Sequence, residues 1–96
     1  MKPVLFTPAA EADVEEAFEW YEAQGPGLGV AFRRALDIAV AAVESQPEAY
    51  AVIHRNTRRA LLPRFPYGLY YRVLEQNVAV VACIHGKRHP KTWRSR

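Results

Sequence analysis

The sequence predicts an α+β domain, a helical hairpin packed on one face of a small antiparallel sheet in the order β-α-α-β-β-β. Three observations carry this. Between residues 10 and 43, apolar side chains recur at the three- and four-residue spacing of buried helix faces. The break Gly25-Pro26-Gly27-Leu28-Gly29 divides that stretch in two. From residue 50 onward the pattern changes to short runs rich in β-branched and aromatic residues, separated by turn residues.

The apolar run Val4-Leu5-Phe6 predicts an opening strand, ended by Thr7-Pro8. Thr7 is the natural N-cap of the first helix and Pro8 its first residue, since proline has no N–H to leave unpaired there. Glu11, Asp13, Glu15 and Glu16 crowd the early turns, where the helix dipole favours negative charge. Val14, Ala17, Phe18 and Tyr21 mark its buried face. The glycine-rich break joins two helices and lacks a Lys-Ser/Thr pair, so it reads as a turn and not as a phosphate loop. Leu28, Phe32, Leu36, Ala39 and Val43 define the second helix, which ends before Pro47. Residues 50–54, 58–65, 69–75 and 78–85 read as strands, the first of them short, and the last two form a hairpin across Glu75-Gln76-Asn77. Alternation along the third run sends Leu69, Tyr71 and Val73 to one face and Tyr70, Arg72 and Leu74 to the other. With helices on one face, the opposite face is expected to be available for binding.

Size and composition narrow the function classes. A chain of 96 residues is one domain, residues 1–96, since a second core could not be filled. Half its residues are hydrophobic and 24% charged, the balance of a globular protein. No apolar run approaches the roughly 18 residues that span a bilayer, and the N-terminus turns acidic too early for a signal peptide. A cytoplasmic location without membrane partners is expected. Cys83 is the only cysteine, embedded in the last strand, and reads as a core residue in a reducing compartment. His54, His85 and His89 lack ligand spacing and no carboxylate or cysteine cluster accompanies them, so neither metal nor cofactor is expected.

Charge is divided sharply along the chain. Residues 1–48 hold three cations against nine acids, a net of −6, whereas residues 49–96 hold ten cations against Glu75 alone, a net of +9. A cationic half of that density suits a polyanion or an acidic protein partner. Arg64 and Arg72 interleave with Phe65, Tyr67, Tyr70 and Tyr71, an arrangement able to hold phosphates and stack bases, with at least two of the four aromatics expected in packing. Trp93 is expected to dock the cationic tail on the body.

The segments LLPRFPYGLYYRV and VVACIHGKRHPKTWRSR resemble the RelE/ParE superfamily of type II toxin–antitoxin toxins. The terminal pattern His85, Arg88, Pro90, Trp93 and Arg96, the Gln-Pro helix exit and the acidic first helix belong to the same likeness, which spans nearly the whole chain. The resemblance implies a toxin held inactive by a cognate antitoxin. It also implies one of two activities, inhibition of DNA gyrase or ribosome-dependent cleavage of mRNA. The RelE-type nucleases use a Lys/Arg cluster with a tyrosine near the C-terminus, and only part of it is matched. Arg88 corresponds to one arginine, Gly68 stands where another is expected, and Trp93 is the large residue nearest the tyrosine position. The resemblance therefore points to a ParE-like gyrase inhibitor without chemistry of its own. Arg58, Arg59, Arg64, Arg72, Lys87, Arg88, His89, Trp93, Arg94 and Arg96 are its expected contacts to target or antitoxin. The alternative is a metal-independent endoribonuclease acting on ribosome-bound mRNA with Arg88, His85 and His89. A second alternative is a non-toxic relative that only binds antitoxin and regulates their shared promoter.

Overall fold

The computed structural model describes all 96 residues, Met1 to Arg96. Strand β1 (Val4–Phe6) leads into helices α1 (Pro8–Gln24) and α2 (Leu28–Ser45). Strands β2 (Val52–His54), β3 (Thr57–Leu61), β4 (Tyr67–Val73) and β5 (Val78–His85) follow, and the single-turn helix α3 (Lys91–Arg94) closes the tail. The strands form one sheet in the order β1-β5-β4-β3-β2. Only β1 runs parallel to its neighbour, with Val4, Leu5 and Phe6 opposite Val78, Ala79 and Val80. The expected α+β layout is therefore present, the short run at 50–54 appears as β2, and α3 is an addition that no periodic pattern signals.

Local chemistry sets the helix ends. Thr7 Oγ1 accepts the N–H of Ala10 at 3.2 Å and Pro8 opens α1, as the capping residues predict. Gly27 adopts a left-handed conformation, φ 87°, before α2. The Glu22 carboxylate accepts the N–H groups of Gly27 at 3.0 Å and Gly29 at 2.9 Å, satisfying amides that α2 itself cannot pair. Those two hydrogen bonds hold the Glu22 carboxyl below its usual range. A Cβ at Gly29 would lie 2.9 Å from both Glu22 Oε1 and the Phe18 carbonyl, so the hairpin admits only glycine there.

The main core lies between the helices and the sheet, built from Val14, Phe32, Leu36 and Val43 against Leu69, Tyr71, Val78 and Val80. The Tyr71 hydroxyl donates to the Pro47 carbonyl at 2.6 Å, and burial pushes its phenol up to about 12. Tyr21, Phe32, Phe65 and Tyr67 interlock with ring centroids 4.8 to 5.9 Å apart. Phe65, Tyr67 and Tyr71 thus pack toward the helices and Tyr70 is buried on the other side, so all four candidate base-stacking rings serve packing.

One irregularity shapes the far side of the sheet. Tyr70 pairs with Ala82 but Tyr71 with Val80, leaving Val81 as an extra residue on β5. Val81 and Ala82 consequently both turn away from the helices and, with Tyr70 and Ile84, make an apolar patch on the outer face. Trp93 covers it. The expectation that this face stands open is corrected here: a patch of that kind is unfavourable in water, and the tail folds over its middle.

Candidate functional site

The tail is fixed at two points. The Trp93 ring is 5% exposed, stacked on Tyr70 at 5.0 Å and edge-on to His54 at 5.8 Å. Beyond it, Arg96 reaches the carboxylate of Asp13 on α1 with both terminal nitrogens, and its Nη1 also donates to the Val81 carbonyl at 3.1 Å. Asp13 Oδ2 in turn accepts the Cys83 N–H at 3.0 Å. Because β1 ends at Phe6, this stretch of the β5 edge has no strand beside it. The Asp13–Arg96 pair supplies an acceptor and a donor in its place, which an exposed edge otherwise lacks. Cys83 lies beneath, its thiol pushed up to about 12 by burial and by the Asp13 charge, and it carries no thiolate at neutral pH.

The expected contact residues divide into two groups. Arg58 turns toward the helix side and donates to the carbonyls of Glu48 at 3.1 Å and Tyr50 at 2.6 Å. Arg72 donates to Thr57 Oγ1 at 3.1 Å and to the main-chain oxygen of Arg96 at 3.3 Å. These two, with Trp93 and Arg96, are tied into the fold. Arg59, Arg64, Lys87, Arg88, His89 and Arg94 are exposed. Arg64 holds a left-handed conformation, φ 67°, in the turn between β3 and β4. The stem of Arg59 lies over Gly68, where a Cβ would meet its Cγ and Cδ at 3.2 Å. Gly68 thus leaves room for the Arg59 stem and the edge of the Tyr70 ring.

The histidines are employed as turn formers. His85 Nδ1 accepts the Lys87 N–H at 3.0 Å and His89 Nδ1 accepts the Lys91 N–H at 3.1 Å, leaving Nε2 as the other nitrogen of each ring. His85 and Arg88 open onto a groove of about 430 Å³ whose walls also include Asp13, Glu16, Trp20 and Tyr67. Burial raises the Tyr67 phenol above its ordinary value. The groove sets the Glu16 carboxylate against Arg88, while Asp13 is already paired with Arg96, so it offers a phosphate no surplus of positive charge. No group of three or more His, Cys, Asp or Glu side chains converges to hold a metal.

Arg55 is not among the residues the sequence singles out, because its charge acquires a meaning only where the fold brings Arg72 and Arg94 beside it. It sits in the two-residue turn between His54 and Thr57 and takes φ 51°, a conformation that glycine usually supplies in such hairpins.

The family model described as "ParE toxin of type II toxin-antitoxin system, parDE" matches residues 4–90. A solved structure titled "Chromosomal ParDE TA system from P. aeruginosa" superposes with a TM-score of 0.78 at 18% identity, covering 88% of this chain and 96% of that one. At that identity the likeness is one of fold. No curated protein matches the chain.

Proposed function

The chain belongs to the ParE toxin family of type II toxin–antitoxin systems, and from that premise we propose that it arrests growth by binding DNA gyrase in the cytoplasm, without chemistry of its own, until a cognate antitoxin neutralises it. The observation that carries this reading is the family match over residues 4–90. The exposed cations support it. Arg59, Arg64, Lys87, Arg88, His89 and Arg94 provide a contact surface for a large partner, while Arg58, Arg72, Trp93 and Arg96 hold the tail and sheet that present them. The acidic helices and cationic sheet give the surface a polarity that steers association with charged macromolecules. The endonuclease reading draws less support, because the groove lined by His85 and Arg88 also holds the Glu16 carboxylate and no second unpaired cation.

Purified toxin, freed from its antitoxin, tests the proposal in two parallel assays: gyrase supercoiling and mRNA cleavage on translating ribosomes. Inhibited supercoiling with intact mRNA is the expected result. Phased mRNA cuts with normal supercoiling would move the activity to the nuclease reading. Harmless expression of folded protein without antitoxin would leave a regulatory relative. The double variant Lys87→Gln with Arg88→Gln should lose at least tenfold in gyrase inhibition, roughly 1.4 kcal/mol of binding, with unchanged thermal unfolding.

A further inference from the structure

We infer that the β2–β3 turn, β4 and the tail helix α3 together form an oxyanion site for a phosphate group of a nucleic-acid strand. The site is a depression of about 480 Å³ whose lining contains His54, Arg55, Asn56, Arg72 and Arg94, with no hydrophobic residue and no aspartate or glutamate. It draws its cations from three separate elements, so their meeting is a product of the fold and not of one basic run in the sequence. The Arg96 guanidinium, at the margin, is already taken up by Asp13. Those of Arg55, Arg72 and Arg94 meet no aspartate or glutamate side chain in the depression, and one nitrogen of Arg72 is engaged by the main-chain oxygen of Arg96.

Each arginine is held in place by a different device. Arg72 is oriented by Thr57 Oγ1 and the main-chain oxygen of Arg96. Arg94 lies over the Trp93 ring, 5.3 Å from its centroid. Arg55 occupies the left-handed turn position that glycine fills more easily, so its side chain is presented there against a local backbone preference. The crowding of like charge is visible at half-buried His54, whose pKa is lowered by burial and then by Arg94, Arg55 and Arg72. An anion placed between these groups relieves that repulsion.

Guanidinium forks match phosphate oxygens in pairs, and Asn56 adds a neutral donor. The absence of any apolar lining residue favours a sugar–phosphate backbone over an acidic peptide, which would bring side chains needing an apolar seat. Arg59 stands on the same outer face two residues beyond Thr57 on β3, roughly 7 Å along the strand, and offers a cation for a neighbouring phosphate. The site does not depend on which macromolecule the toxin arrests.

The test uses the purified full-length chain and a fluorescein-labelled 12-nucleotide single-stranded DNA, with binding followed by anisotropy between about 50 and 200 mM salt. Arg55→Gly removes a site cation while placing glycine in the conformation it favours, so the fold is retained, as thermal unfolding will verify. It should weaken binding about three- to tenfold and reduce the salt slope by about 0.7, the loss of one single-strand phosphate contact. Arg94→Gln should act in the same direction, and Arg33→Gln on α2 should change nothing. Undiminished affinity in Arg55→Gly, or no binding by wild type at the lowest salt, would overturn the site. Inorganic phosphate is titrated separately, read by the side-chain NMR signals of His54 and Arg72. Phosphate binding as tightly as the oligonucleotide would assign a free oxyanion and overturn the strand.

Discussion

On the helix face of the sheet a cluster of 15 buried residues forms the core, whereas the tail face closes with five: Tyr70, Val81, Ala82, Ile84 and Trp93. The first is spread over two long helices and three strands, so the loss of one side chain is shared among many neighbours. The second hangs on one indole, Trp93, and one ion pair, in which Arg96 of the tail meets Asp13 of α1. Concentration in so few groups makes the tail face separable. It can loosen while the helix face remains folded, and the cations it presents then lose their arrangement.

The largest effect is expected on the helix face. Phe32 is wholly buried, and Phe32→Ala should cost about 3–5 kcal/mol in urea denaturation, enough to threaten the whole fold. Trp93→Ala should cost less, about 2–3 kcal/mol, because a terminal segment can peel away without leaving a closed cavity. Hydrogen exchange separates the two: Phe32→Ala should speed exchange throughout the sheet, and Trp93→Ala mainly in α3. Equal costs with uniform exchange would make the two faces one cooperative unit.

A finer division comes from Asp13 and Arg96, whose side chains are 11% and 24% exposed. Asp13→Asn and Arg96→Gln should each destabilise by about 1–2 kcal/mol, and the double variant should fall short of their sum by about 1 kcal/mol. The Cys83 amide, which donates to Asp13, should lose protection in Asp13→Asn. Additive costs would mean that the pair does not brace the β5 edge, and that Trp93 alone closes the tail face.

The same contrast explains what the sequence disclosed. The helix face was legible because Val14, Ala17, Phe32, Leu36, Ala39 and Val43 fall at helical spacing, and because Thr7-Pro8 and Gly27 mark helix ends by local chemistry. The tail face was largely hidden. The Val81 bulge breaks the two-residue alternation by one position, and α3 is a single turn that forms on Tyr70 and not through its own propensity. Asp13 and Arg96 meet across 83 positions, a distance over which no periodicity operates. Of the expected contact residues, a reading of charge alone could not separate Arg72 and Arg96, which are held by internal partners, from Arg88 and Arg94, which are exposed. Arg55 was passed over for the same reason: the meaning of its charge comes from Arg72 and Arg94, brought beside it from β4 and α3.

The smallest expected effect tests that last convergence directly. His54 is half-buried against Trp93, and burial, followed by the charges of Arg94, Arg55 and Arg72, lowers its pKa below the ordinary value of 6.5. Well above pH 6.5 the ring is neutral in folded and unfolded chains alike, so it leaves stability untouched. As the pH falls from there, the unfolded chain takes up the proton first, and stability declines through the folded pKa until both states are protonated. Melting temperature should therefore rise with pH across that window, in parallel with the His54 ring signal in an NMR titration. Arg94→Gln and Arg55→Gly should each move that titration upward and flatten the slope, because each removes a positive charge that disfavours the protonated ring. A titration that neither variant shifts would mean that the three arginines exert no common field at His54. The tail face would then be an apolar seat with scattered charges, and the contrast with the helix face would reduce to size.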